Sequence, residues 1–124
     1  MEAMTMYEQD LFNEPTWVPP IQLPDLSKET IIAIDVETCD PNLLTLGPGW
    51  SRNDGRLIGI AVASSKWYGY LPFGHEGGGN MSKKMVVTWL QDQLKHGMSV
   101  VFHNAQYDLG WLRTVGITVP GKIL

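Results

Sequence analysis

The chain has 124 residues, 44% of them hydrophobic and 18% charged, with a formal net charge of −4. That is one domain's worth of polypeptide with the balance of a globular protein, and no apolar run approaches the roughly 18–20 residues a spanning helix needs. Nine acids crowd residues 1–40 against Lys28 alone, whereas residues 41–124 carry eight Lys and Arg against four acids, so the overall acidity does not exclude a polyanionic partner.

The opening "MEAMTMYEQD" lacks a basic segment followed by an apolar one and is no secretory signal. A single cysteine, Cys39, cannot form an internal disulfide, which favours a reducing, cytoplasmic setting. Residues 1–29 read as an extended arm, because prolines at 15, 19, 20 and 24 deny both helix and central strand. Phe12, Trp17, Val18, Ile21 and Leu23 are expected to lie across the outside of a domain spanning 30–124.

Residues 30–38 predict a first strand on which Ile32, Ile34 and Val36 face one way and Ile31, Ala33, Asp35 and Glu37 the other. Residues 40–55, rich in Gly, Pro and Asn, read as a loop. Residues 56–65 and 66–73 predict two more strands joined tightly around Ser64 and Ser65, followed by a loop over 74–80. Met85, Val86, Trp89, Leu90 and Leu94 recur at helical spacing, with Asn80 or Ser82 as cap and Gly97 as terminator. A short strand over 99–104 and a second helix from Asn104 to Gly116 complete the order β-β-β-α-β-α. Three strands on short connections predict an antiparallel meander, and the strand after the first helix can lie parallel to the first strand. The expected fold class is α/β: a mixed sheet with helices packed on it.

The acids on the first strand raise a chemical question. Asp35 and Glu37 share one strand face about 7 Å apart, a separation from which two carboxylates can flank divalent ions roughly 4 Å apart. Oxygen donors select Mg²⁺ or Mn²⁺. Ordinary solvated surface acids are the plain alternative. The second cluster, "VVFHNAQYDLGWL", repeats the pattern of an apolar strand with a polar end, and Asp108 lies one helical turn after Asn104. If the two strands are parallel neighbours, Asp108 faces Asp35 and Glu37.

"IDVET" and "HNAQYD" resemble the first and second motifs of the DEDD superfamily of 3′–5′ exonucleases, and specifically the proofreading domain of bacteriophage-type family A DNA polymerases. The resemblance covers 30–124 and implies an RNase H-like fold. It implies that Asp35 bridges two Mg²⁺ or Mn²⁺ ions, that Glu37 holds the one activating water, and that Asp108 binds the second. By the same resemblance Thr38, Asn104 and Tyr107 contact the single-stranded 3′ end of DNA, although Tyr107 also reads simply as packing beside the site. The implied location is the cytoplasm of a host cell.

The family requires a fourth acid from a later helix, and residues 109–124 contain none. The sequence therefore reads as the first part of such a domain, stopping before its last strand and helices, and weak or inactive alone. The strand over 99–103 would be left as an apolar sheet edge unless 117–124 folds over it. A covering protein, such as the remainder of a polymerase, or self-association is expected. A catalytically inactive binding or inhibitory module built on the same fold is the alternative.

Overall fold

A computed structural model of the chain describes residues 22–124. The first 21 residues, with Phe12, Trp17, Val18 and Ile21 of the expected arm, lie outside the described residues. The elements are β1 (Ile31–Cys39), α1 (Leu43–Leu46), a 3-10 turn (Gly49–Ser51), β2 (Arg56–Ala63), β3 (Tyr68–Pro72), α2 (Lys83–Leu94), β4 (Ser99–Phe102) and α3 (Ala105–Thr114). They form one four-stranded sheet in the order β3-β2-β1-β4. β1 pairs antiparallel with β2 and parallel with β4, and β2 pairs antiparallel with β3. This is the expected mixed α/β sheet, consistent with an RNase H-like fold.

One sheet face makes the core. Ile32 and Ile34 of β1, Ile60 and Val62 of β2, Leu71 of β3 and Val100 of β4 are buried against Val86, Leu90 and Leu94 of α2 and Trp111 and Leu112 of α3. The period of two on the strands and of 3.6 on the helices puts these residues on facing surfaces. Each fully buried aliphatic side chain contributes about 1.5–3 kcal/mol relative to exposure. Truncating Leu90 to alanine would cost about 2–5 kcal/mol. Ser82 caps α2 by accepting from the Met85 N–H at 3.2 Å, and Gly97, at φ +80°, ends it. The other possible cap, Asn80, instead braces the preceding loop: its side chain bonds both the N–H and the carbonyl of His75.

Two expectations change, and one left open is decided. Residues 40–55 are not plain loop, because Thr45 and Leu46 donate to the Asn42 carbonyl and close the single turn of α1. Trp67 lies in the β2–β3 connection rather than in β3: its N–H donates to the Ser64 hydroxyl, and its ring packs edge-on to Trp89. Finally, the tail covers part of the β4 edge. Val100 N–H donates to the Lys122 carbonyl at 2.8 Å and Leu124 N–H to the Val100 carbonyl at 2.9 Å, a parallel bridge between Val100 and Ile123. The described end of the presumed arm sits on α2, where Pro24 accepts from the Trp89 indole and Leu26 N–H donates to Gln93. Among the described residues no helix is long and apolar enough to cross a membrane.

Candidate active site

The C-terminal end of β1 is where the acids emerge. Asp35 lies opposite Ala61, Glu37 opposite Gly59 and Thr38 opposite Leu57, so Ile58 is an extra residue and the ladder bulges between Glu37 and Thr38. A bulge sharpens the twist and re-aims side chains at a strand end. On the other flank Ile34 pairs with Phe102, so His103 and Asn104 leave the sheet beside Asp35.

Two bonds aim Asp108. The Asn104 side chain accepts from Tyr107 N–H at 3.4 Å, and the Asp108 carboxylate reaches back to accept from Asn104 N–H at 3.3 Å. The pair satisfies amides that the first turn of α3 would otherwise leave open. Asp108 is 2% exposed, the one charged side chain in the buried set among the described residues.

Asp35, Trp50, His103, Asn104, Tyr107 and Asp108 line one pocket of about 600 Å³. Burial raises the Asp108 pKa above the ordinary aspartate value and the charge of Asp35 adds to the rise, while the Asn104 bond and His103 oppose it. Asp35 is therefore within electrostatic reach of Asp108. Glu37 does not line this pocket. It acts instead on Tyr70 of β3, whose hydroxyl pKa is raised by burial first and by Glu37 second. Among the described residues no three of His, Cys, Asp and Glu converge closely enough to cage a metal ion. So two of the three expected acids line one pocket, and the third, outside that lining, acts electrostatically on Tyr70. Side chains two residues apart on a strand start about 7 Å apart, and the bulge follows at once. The Asp35–Asp108 pair fits a hard divalent cation: its donors are carboxylate oxygens, and a positive charge would offset both the burial of Asp108 and its repulsion from Asp35.

Tyr107 has a defined local task. Its hydroxyl donates to Asp40 Oδ2 at 3.0 Å, which leaves the Thr38 hydroxyl, 2.8 Å away, as donor to the tyrosine oxygen. Asp40 Oδ2 also accepts from Gly49 N–H at 3.2 Å. Thr38 and Tyr107, both expected to contact nucleic acid, are thus tied to each other and to the 40–55 loop. Asp40 escaped the sequence reading, and an acid directly after the strand, in an Asp-Pro-Asn turn, was the available signal.

Trp50 is a further residue of the site: it packs on Gly110 of α3, where a Cβ would come within 2.3 Å of its ring. The Arg113 guanidinium sits 6.0 Å from the ring centroid on the same indole. The loop is stiffened internally by Arg52, which bonds the Asp54 carboxylate at 2.8 Å and the Gly47 carbonyl at 2.6 Å. Trp50 therefore forms a fixed wall of the acid pocket. The glycine in "DLGWL" was the available sign of a close approach.

A mixed sheet with an acid pair at the end of its parallel strands defines the class of architecture: an α/β domain with an acidic, oxygen-donor pocket. No protein-family model matches the chain. A DNA-directed DNA polymerase of Pseudomonas phage M6 is 42% identical to it over 106 residues, which is 82% of this chain. The similar stretch amounts to 16% of that polymerase's own length. The similarity supports a polymerase-related segment.

Proposed function

We propose that the chain is a segment of a 3′–5′ proofreading exonuclease domain of a phage DNA polymerase, cleaving the 3′-terminal phosphodiester of DNA. The observation that carries this reading is the convergence of Asp35 and Asp108 on one pocket, beside the parallel β1–β4 pair, in a chain similar to a phage polymerase. Asp35 and Asp108 would hold Mg²⁺ or Mn²⁺ between them, with Glu37 as the further ligand once its side chain turns toward the pocket. A bound ion supplies an acidified water and positive charge for the phosphate oxygens.

The chain's own residues do the rest. Asn104 fixes the Asp108 carboxylate through its backbone N–H. Trp50 and Tyr107 wall the pocket with aromatic surface, against which a terminal base can stack. Asn104, in the pocket lining, and Thr38, bonded to the pocket residue Tyr107, would contact the terminal sugar and phosphate. With Asp35, Glu37 and Asp108 as the only acids assigned, weak nuclease activity is expected, since each further ligand to the ions contributes several kcal/mol of transition-state stabilisation.

The specific observation in favour of a second reading, an inactive binding module, is that no three acids or other ligand side chains are drawn together among the described residues. One experiment separates the two. The chain is incubated with end-labelled single-stranded DNA and Mn²⁺ or Mg²⁺, beside Asp35→Ala. Slow release of 3′-terminal mononucleotides that Asp35→Ala abolishes supports the exonuclease. Release equal in both proteins, or none in either, rejects it for this chain.

A further inference from the structure

Glu37 has a second neighbourhood, on the β2–β3 side of the sheet. Directly opposed residues share a face, and two such rows lie side by side here: Asp35, Ala61 and Tyr70 in one, Glu37, Gly59 and Pro72 in the next. Tyr70 is rooted in the first row, but its ring crosses to the second, where its hydroxyl fills the space a Gly59 Cβ would take. A glycine within a strand often marks such a close approach. Opposed Cβ positions lie about 4.5–5.5 Å apart, so that oxygen stands within reach of the Glu37 side chain. The hydroxyl is hydrogen-bonded to Nε2 of His75, with the two rings set 80° to each other. His75 is itself held. Asn80 bonds its backbone N–H and carbonyl, and the Phe73 and Gly74 N–H groups that lead into it both donate to the carbonyl of Ile58, the extra residue of the bulge beside Glu37. One irregularity of β2 thus adjoins the strand end that carries Glu37 and anchors the loop that carries His75.

We infer that Tyr70, aimed by His75, is a positioning residue for Glu37: the phenol donates to one carboxylate oxygen and sets the other for the divalent ion of the proposed site. This rests on the metal-dependent reading of Asp35 and Asp108. The donors and acceptors give the direction. With the imidazole proton on Nε2, His75 donates to the tyrosine oxygen, and the single phenolic proton is left for the acceptor-only carboxylate in the next row. The charge of Glu37 already acts on that hydroxyl, as the second cause, after burial, of its raised pKa. Pinning counts for more at Glu37 than at Asp108. The buried Asp108 carboxylate is fixed by the Asn104 N–H, whereas Glu37 is exposed and has one more rotatable bond. Hydrogen-bond partners of this kind orient ligating carboxylates, and their loss weakens metal affinity by about 10–100-fold.

The test titrates the full chain with Mn²⁺ and reads the free ion by its electron paramagnetic resonance signal. Tyr70→Phe keeps the ring over Gly59 and removes only the hydroxyl, and it should weaken Mn²⁺ binding by about tenfold. His75→Ala should weaken it as well, and His75→Gln, which keeps an N–H donor, should restore most of the affinity. In a Glu37→Gln background Tyr70→Phe should cause no further loss, the non-additivity expected of a residue that acts through another. Circular dichroism of each variant checks the fold. If Tyr70→Phe unfolds, His75→Ala decides the matter, and affinity equal to the parent's overturns the inference. The inference alone is also overturned if Asp35→Ala abolishes binding while Tyr70→Phe binds like the parent, or if the Tyr70→Phe loss persists undiminished in Glu37→Gln. It falls together with the metal-dependent reading if the parent binds no Mn²⁺, or if Asp35→Ala binds it equally well.

Discussion

Trp50 lies against Gly110 so closely that a single methyl group at position 110 would overlap its ring. A loop that leaves the sheet after β1 is thereby pinned to a helix sixty residues further along. The contact closes one side of the pocket that holds Asp35 and Asp108. Glycine in the middle of a helix ordinarily costs up to about 1 kcal/mol relative to alanine. Its presence here trades helix stability for a docked indole.

Gly110→Ala tests that trade. On an exposed helix the change would stabilise. Here the Cβ meets the Trp50 ring, so the prediction is a net loss of about 1–3 kcal/mol, the usual cost of overpacking. Urea unfolding gives the free energy. Acrylamide quenching of tryptophan emission should rise as Trp50 leaves the helix, and Trp50→Ala in the same background should remove that rise.

Removing the Tyr107 hydroxyl separates structure from ligand contact. Tyr107→Phe breaks the donation to Asp40 and strands the Thr38 hydroxyl. The expected loss is about 1–3 kcal/mol, because Asp40, whose other oxygen is already buried without a partner, loses a charged-acceptor bond. Thermal unfolding measures it. If Tyr107 serves only to brace the loop, DNA affinity falls no more than the fraction unfolded. A larger fall in affinity would assign it a direct contact.

The alternation of Ile32, Ile34 and Val36 against Asp35 and Glu37, and the helical spacing of Val86, Leu90 and Leu94, made both the sheet and its core face readable in advance. The same is true of the parallel placement of β4, since a helix between two strands leaves few other connections. What could not be read depends on contacts between distant residues. Glu37 lies outside the lining of the pocket that Asp35 and Asp108 share, and no local pattern marks the bulge that follows it. Asp40 gains its role only because the chain returns with Gly49 and Tyr107 sixty-seven residues on. Trp50 looks like any loop tryptophan until Gly110 lies beneath it.

The buried carboxylate of Asp108 makes stability depend on pH in a definite direction. Its folded pKa is raised, chiefly by burial and also by Asp35, so folding favours its neutral form. The contribution of this group is complete below the ordinary aspartate range and is lost as pH rises through the raised folded value. Asp108→Asn keeps an oxygen to accept from Asn104 N–H while removing the charge. Without divalent cations the variant should therefore melt several degrees above the parent at pH 7, and the two curves should converge as pH falls toward that range. Mn²⁺ at ten times its dissociation constant should raise the stability of the parent by about 1.4 kcal/mol, since a ligand of the native state alone contributes RT ln(1 + [L]/Kd). Asp108→Asn should gain little from the same addition. Differential scanning calorimetry at several pH values, with and without Mn²⁺, reads both effects. Parallel melting curves for the two proteins at every pH, and equal response to the ion, would show that Asp108 serves the helix cap and nothing else.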